Sequence, residues 1–221
     1  MNRYFTYDDE SIDEMIYPLD ENFFWSRRFE YIWALNKVKE TDVVLDSCTG
    51  VYHPFKYTLV NKCKEVYALD VRDLSYENLN KVTQIQFKTE LDKFLYDKVK
   101  FNQASIVDMP YEDEFFDVIF AISCLEHLEE DKIIKGLKEF KRTLKEDGKI
   151  YVTLDYPTIT PTKFIELTRE AGLVVDGKCD WKLDEDKCIS SVYFGEPRLY
   201  CFSIVLRKPK PFGRPKKIKN K

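Results

Sequence analysis

The stretch that decides the fold is VVLDSCTGVYHP, residues Val43 to Pro54. Its apolar run ends in an acid, Asp46, and a turn with a single glycine, Gly50, follows. A short apolar run bounded by a turn is typical of a strand buried inside a sheet. A glycine directly after such a strand is also typical of nucleotide-binding sheets, because it lets a ligand approach the backbone. The stretch alone leaves two interpretations open, a cofactor loop and an ordinary turn.

Outside this stretch, short apolar runs alternate with helical segments. Further strands are predicted at residues 66–70, 99–103, 116–122 and 149–154, and helices at 55–62, 75–97, 131–145 and 161–171. Residues 173–181 and 198–206 are strand-like with no helix between them, which predicts an antiparallel pair. We therefore expect a three-layer, Rossmann-like α/β fold, with a seven-stranded, mostly parallel sheet and a C-terminal antiparallel hairpin.

A helix is also predicted before the first strand, because Trp25, Phe29, Ile32 and Trp33 share one face at helical spacing. We interpret residues 1–40 as an N-terminal helical extension that can act as a lid over the open sheet edge. Residues 41–207 form the α/β domain, and residues 208–221 form a basic, flexible tail.

Composition excludes several classes of protein. The chain has 221 residues, of which 44% are hydrophobic and 15% aromatic, enough for one domain with a sizeable core. Its six cysteines form no C-x-x-C pair and it has two histidines, so we expect reduced thiols and no metal site. No apolar run is long enough to cross a membrane, and the first residues lack the apolar region of a signal peptide. We expect a cytoplasmic protein.

Charge is unevenly distributed along the chain. The net charge is −4, yet residues 207–221 hold eight basic residues and no acidic one, so the rest is strongly acidic. The tail contains Gly213-Arg214-Pro215 flanked by basic residues, which resembles a minor-groove binding core. Nucleic acid is therefore one candidate partner, although the acidic body disfavours a broad phosphate contact.

Acids end the first two predicted strands, Asp46 and, 24 residues later, Asp70. The carboxyl ends of parallel strands meet at one edge of an open sheet, where ligands bind. An acid at the end of the second strand can accept hydrogen bonds from both hydroxyls of a ribose. This spacing predicts a nucleoside site in which both carboxylates face one crevice.

Five segments between residues 41 and 207 resemble, in order, the motifs of the class I S-adenosylmethionine-dependent methyltransferases, including the type 11-like domains. They are Asp46-Ser47-Cys48-Thr49-Gly50, Val66-Tyr67-Ala68-Leu69-Asp70, Ser105 to Ile119, Cys124-Leu125-Glu126-His127-Leu128, and Leu144 to Ile150. The first motif of the family is D-x-G-x-G-x-G, of which only Gly50 is present here. Cys48 and Tyr52 stand where the family has glycines, and Ser105 stands where it usually has an acid.

The resemblance implies S-adenosylmethionine as cofactor, S-adenosylhomocysteine as product, and no metal. The implied cofactor contacts are Asp46, Ser47, Cys48 and Gly50 at the methionine part, Asp70 and Val71 at the ribose, Ser105 and Ile106 at the adenine, and Ile122 and Ser123 on the far side. His127 is the candidate catalytic base, with His53 second. The methyl group would go to an O or N atom, and positioning alone can supply much of the rate.

The acceptor class is narrowed by two missing motifs. The position after the fourth strand reads Ser123-Cys124-Leu125-Glu126 instead of the N/D-P-P-Y/F motif of DNA amino-methyltransferases, and no Pro-Cys dipeptide exists for cytosine C5 chemistry. A small molecule, a sugar or glycan, and a protein side chain remain.

Three alternatives to a small-molecule or glycan methyltransferase stay open. The first is a non-catalytic protein that kept this fold with a degenerate cofactor loop. The second is a nucleic-acid-associated methyltransferase that uses the basic tail. The third, an NAD-dependent oxidoreductase, is disfavoured because the chain lacks G-x-G-x-x-G.

Overall fold

The computed structural model describes residues 1–210, in which strands and helices alternate along most of the chain. The strands are β1 (Asn2–Tyr4), β2 (Val43–Ser47), β3 (Glu65–Asp70), β4 (Val99–Gln103), β5 (Phe116–Ile122), β6 (Leu144–Tyr156), β7 (Val174–Val175), β8 (Cys179–Asp180), β9 (Ser190–Ser191) and β10 (Leu199–Arg207). The helices are α1 (Arg27–Leu35), α2 (Phe55–Leu59), α3 (Tyr76–Phe87), α4 (Lys93–Lys98), α5 (Glu130–Thr143) and α6 (Pro161–Glu170), with a 3₁₀ turn at Leu125–His127. The tail motif at 213–215 lies outside the described residues.

Within this part of the chain, the strands form one sheet of order β4-β3-β2-β5-β6-β10-β1-β8, and β7 and β9 pair with β10. Strands β2 to β6 are parallel, whereas β10 runs antiparallel to both β6 and β1. The predicted fold, a mostly parallel sheet with antiparallel strands at its C-terminal end, is confirmed. The chain passes from β2 to β3 and β4 and then returns to β5, so the switch point lies at the ends of β2 and β5.

Helices cover both faces of the sheet because its central strands carry apolar side chains on both sides. In β2, Val44 packs in the cluster under α1, α2 and α3, while the next residue, Leu45, packs in the cluster under α5 and α6. In β5, Phe120 packs in the first of these clusters and Ile119 in the second. Each such fully buried side chain stabilises the fold by about 1.5–3 kcal/mol.

Two regions differ in detail from the expected pattern. The run at 173–181 holds two short strands, of which β7 pairs with β10 and β8 pairs with β1. The N-terminal extension contributes a strand as well as a helix, because Arg3 and Tyr4 pair with Ser203 and Phe202 of β10. These short strands raise the number described from the expected seven to ten.

The predicted helix at 75–97 is two helices. Ser75 caps the start of α3 by accepting from the Asn78 N–H at 3.3 Å, and Lys88 ends that helix in a left-handed conformation. Asp92 then caps α4 by accepting from the Phe94 N–H at 2.8 Å. A polar cap residue therefore starts each of the two helices.

Candidate functional site

A cavity of about 490 Å³ opens at the carboxyl ends of β2, β3 and β5, and we call it the crevice. Most of the predicted cofactor residues line it, namely Cys48, Asp70, Val71, Ser105, Ile106, Ile122 and Ser123, and so does the candidate base His127. Asp46, Ser47 and Gly50 lie next to the crevice without lining it. The volume falls in the range of small-molecule sites.

Asp70 is the acid that faces the crevice. Its carboxylate accepts the Gly50 N–H at 2.9 Å, the Arg72 N–H at 3.0 Å, and the Arg72 Nε and Nη2 at 3.0 and 3.1 Å. Burial alone would raise the pKa of Asp70, but the hydrogen bonds from Arg72 and Gly50 lower it below its ordinary value. Asp70 is therefore ionised at neutral pH.

The loop after β2 takes a path that tolerates its missing glycines. Cys48 adopts the left-handed region with φ 51°, and Gly50 adopts it with φ 66°. The Thr49 N–H donates to the Leu69 carbonyl at 3.0 Å, and its hydroxyl donates to Asp46. A Cβ at Gly50 would collide with the imidazole of His53, so a glycine is needed at this position for space as well as for backbone angle.

Lys56 of α2 stabilises this loop through hydrogen bonds to its backbone carbonyls. Its side chain is fully buried, and its Nζ donates to the carbonyls of Gly50 at 2.9 Å and of His53 at 2.6 Å. Burial lowers the pKa of Lys56 to about 8 and raises that of Asp46 to about 6. The negative charge of Asp46 acts in the opposite direction to burial and raises the pKa of Lys56. Asp46 itself borders a second, much smaller cavity beside the crevice.

Arg27, the first residue of α1, lines the crevice. There it lies beside Ser123, which is 96 residues away in the sequence. Its guanidinium donates to Glu30 at 2.6 Å, and Glu30 accepts from the Ser123 hydroxyl at 2.6 Å. Burial alone would raise the pKa of the fully buried Glu30, but Arg27 and the Ser123 hydroxyl lower it overall. The pair places a cation at the β5 side of the crevice.

His53 forms part of the same end of the crevice. Its Nδ1 lies 2.8 Å from the Tyr31 hydroxyl, and its ring lines the cavity. Burial, Arg27 and Lys56 lower the pKa of His53 well below its ordinary value. The imidazole is therefore neutral at neutral pH and is held in one orientation by Tyr31.

The opposite end of the crevice is largely apolar and is formed by the ends of β3 and β4. Ile106 packs closely against Gly136 of α5. A Cβ added at Gly136 would lie only 2.7 Å from the Cδ1 atom of Ile106. The Ala104 N–H donates to the Asp70 carbonyl at 2.9 Å. The Ile106 N–H has no acceptor within residues 1–210, so it is available to a ligand.

A family model described as a methyltransferase domain matches residues 45–152, the segment that carries most of this crevice. This match spans just under half of the chain. The segment runs from the middle of β2 into β6 and supplies Asp70, Ile106 and Ser123. The resemblance seen in the sequence is thus confirmed.

Solved structures show the same fold. The [4+2]-cyclase SpnF has a TM-score of 0.62 and 14% identity, over 93% of this chain and 86% of its own. A TehB-like SAM-dependent methyltransferase from Corynebacterium glutamicum has a TM-score of 0.57 and 15% identity, over 81% and 87%. Geranyl diphosphate methyltransferase in complex with SAM has a TM-score of 0.57 and 11% identity, over 83% and 86%. At these identities the likeness shows the fold, and this fold carries more than one reaction.

Several residues that line the crevice were not among the cofactor contacts expected from the sequence, although Cys124 and Leu128 lie in its fourth motif. Arg27, Arg72 and Lys132 supply the positive charge of the crevice, and Cys124 and Leu128 line it. Arg72 follows the second motif by two residues, which could have indicated it, whereas Arg27 depends on how α1 packs.

His127 lies on the wall of the crevice, at the end of the 3₁₀ turn. Burial, with a smaller contribution from Arg27, lowers its pKa. A neutral imidazole at neutral pH can accept a proton, so the charge state of His127 suits a base.

Two buried acids lie behind the crevice and do not line it. Glu126 Oε2 and Asp155 Oδ1 are buried without a hydrogen-bond partner in the described part of the chain. Burial raises the pKa of Asp155 to about 7 and that of Glu126 well above its ordinary value, and the two acids repel each other. At least one of them is protonated at neutral pH.

Residues 1–210 contain no group of three or more metal-ligating side chains placed to hold an ion. No helix in that range has the length and apolar character needed to span a membrane.

Proposed function

We propose that this protein transfers a methyl group from S-adenosylmethionine to an O or N atom of a small-molecule or glycan acceptor. The observation that carries this proposal is the position of Asp70. An ionised carboxylate at the end of β3 faces the crevice and is tied to the loop after β2 through Gly50. This is where a ribose can be held by both of its hydroxyls.

The two ends of the crevice suit the two ends of that cofactor. The apolar end, with Ile106 and its available N–H, suits a flat adenine ring. The other end presents the Arg27 guanidinium, which suits the carboxylate of the methionine part. Between the two ends lie Cys48, Ile122 and Ser123, which would border the rest of the cofactor.

The residues present therefore fit the cofactor. When bound, S-adenosylmethionine supplies an electrophilic methyl group on a positively charged sulfur. The chain's own contribution is to hold donor and acceptor in line, and effective concentrations from such positioning are large. His127 would take the proton that the acceptor loses.

We further propose that residues 1–40 act as a cover of the site and that residues 208–221 act as a basic tail. The first proposal is supported by Arg27 and Tyr31, which reach the crevice and its histidine from α1. Residues 211–221 lie outside the described residues, so the nucleic-acid role of the tail rests on its sequence.

The rival interpretation, a protein that kept the fold without binding the cofactor, is favoured by Cys48 and Tyr52 at the family's glycine positions. Calorimetry with S-adenosylmethionine, S-adenosylhomocysteine and NAD separates the possibilities. We expect binding of the first two and not of NAD, and transfer of labelled methyl groups to a component of a small-molecule extract. Binding of none of the three would overturn the proposal in favour of the rival.

A further inference from the structure

Four aromatic rings, three of them exposed and one half-buried, form a cluster near the crevice, which we call the aromatic shelf. Its members are Phe23, Tyr52, Tyr193 and Phe194. Phe23 lies 6.1 Å from Tyr52 and 6.3 Å from Phe194, and Tyr193 lies 5.0 Å from Phe194, all between ring centroids. Tyr193 and Phe194 are 57% and 59% exposed. Soluble domains seldom expose adjacent aromatic rings without a ligand for them.

Three separate segments of the chain meet at the aromatic shelf. Phe23 precedes α1, Tyr52 belongs to the loop after β2, and Tyr193 and Phe194 lie between β9 and β10. The rings contact one another mainly edge to face, the arrangement that aromatic side chains prefer. The shelf is therefore a tertiary feature and not the exposed face of a single helix.

The aromatic shelf packs against His53, a wall residue of the crevice. The Tyr52 ring lies 6.3 Å from the ring of His53, which lines the crevice wall. On the inner side, Phe24 links the two, with its ring 4.8 Å from Phe23 and 5.8 Å from His53. The shelf and the crevice therefore lie on two sides of His53.

We propose that the aromatic shelf binds the methyl acceptor, and that the acceptor is a small molecule with an aromatic ring that bears a hydroxyl or amino group. This inference rests on the proposed function. The short distance from the shelf to His53, on the wall of the crevice, favours a small acceptor over a protein partner, because an acceptor bound there has to present one atom to the cofactor. The three exposed rings, Tyr52, Tyr193 and Phe194, favour an aromatic body, since ring pairs gain attraction beyond the area that they bury.

The test compares two exposed phenylalanines. Phe194→Ala removes a ring of the shelf, and Phe94→Ala removes a ring with 62% exposure on α4, outside the shelf. The acceptors are caffeic acid, quercetin and tyramine, with glucose and glycine as non-aromatic comparisons. Methyl transfer is measured with methyl-labelled S-adenosylmethionine, and S-adenosylhomocysteine affinity is measured by calorimetry for each variant.

We expect the unaltered protein to methylate at least one of the aromatic acceptors. Phe194→Ala should lower kcat/KM at least tenfold, mainly through KM, while Phe94→Ala changes it less than twofold and both variants bind S-adenosylhomocysteine normally. The inference would be overturned if the protein methylated only the non-aromatic compounds or none of the panel. It would also be overturned if Phe194→Ala and Phe94→Ala had the same kcat/KM for the aromatic acceptors. If the unaltered protein did not bind S-adenosylhomocysteine, the result would instead count against the proposed function.

Discussion

The main-chain N–H of Gly50 donates to the Asp70 carboxylate at 2.9 Å, which joins the loop after β2 to the end of β3. Gly50 is the one glycine of the family's first motif that this chain keeps. It is also the position where backbone angle and the overlying His53 both require a glycine. The contact fixes the carboxylate at the mouth of the crevice.

The first prediction concerns Asp70. Asp70→Asn removes the negative charge that would accept the ribose hydroxyls, so we expect S-adenosylhomocysteine affinity to fall by about 10- to 100-fold, since hydrogen bonds to a charged group are worth about 1.5–3 kcal/mol. Asp73→Asn, an exposed acid three residues on, serves as the control. Calorimetry measures both. Equal affinities for the two variants would show that Asp70 does not contact the cofactor.

The second prediction concerns Lys56. Lys56→Met removes the donor to the Gly50 and His53 carbonyls and leaves Asp46 buried without its cation. Removing this charged donor leaves buried carbonyls without a partner, which costs about 1–3 kcal/mol. Urea unfolding measures it, with the exposed Lys62→Met as control. A loss of stability no larger than that of the control would mean that the loop does not depend on Lys56.

The third prediction concerns pH. The pKa of Asp155 is about 7 in the folded protein and ordinary, near 3.8, in the unfolded chain, so the folded state holds the extra proton between these values. The stability from this group is present at low pH and is lost as pH rises through 7. Asp155→Asn removes the dependence. We expect its stability relative to the unaltered protein to rise by about 2–3 kcal/mol from pH 5 to pH 8.

The free energies of unfolding at both pH values test this prediction about Asp155. Asp147→Asn, an exposed acid in the first part of β6, is the control and should show no such rise. A constant difference between Asp155→Asn and the unaltered protein would show that Asp155 is ionised throughout this range.

The fourth prediction uses the cysteines. Cys48 lines the crevice, whereas Cys179 is exposed on β8. S-adenosylhomocysteine should slow the alkylation of Cys48 by N-ethylmaleimide at least tenfold and leave Cys179 unchanged. Mass spectrometry of peptides follows each site. Unchanged labelling of Cys48 at a saturating ligand concentration would place the ligand elsewhere.

The architecture could be predicted because its signals are local. Buried parallel strands appear as apolar runs, as in Phe116–Ile122, and amphipathic helices show their period, as in α5. The short strands could not be predicted. A three-residue strand such as Asn2–Tyr4 exists because β10 offers it a partner, and no local pattern records that pairing.

The candidate site divides in the same way. Asp70 ends the second motif and its strand, and Ile106 lies in the third motif shortly after β4, so the sequence indicated their place. Arg27 and Lys56 gain their roles from long-range packing and from the irregular path of one loop. A lysine inside FKYTL gives no sign that its ammonium group is fully buried, because the carbonyls that receive it belong to the folded loop alone.

The central claim is that the crevice between Asp70 and Ser123 holds S-adenosylmethionine. A crystal structure of the protein with S-adenosylhomocysteine tests it most directly. The account predicts both ribose hydroxyls within hydrogen-bond distance of the Asp70 carboxylate and the adenine ring beside the Ile106 N–H. A ligand bound outside the crevice, or crystals that contain none after growth at saturating concentration, would contradict it.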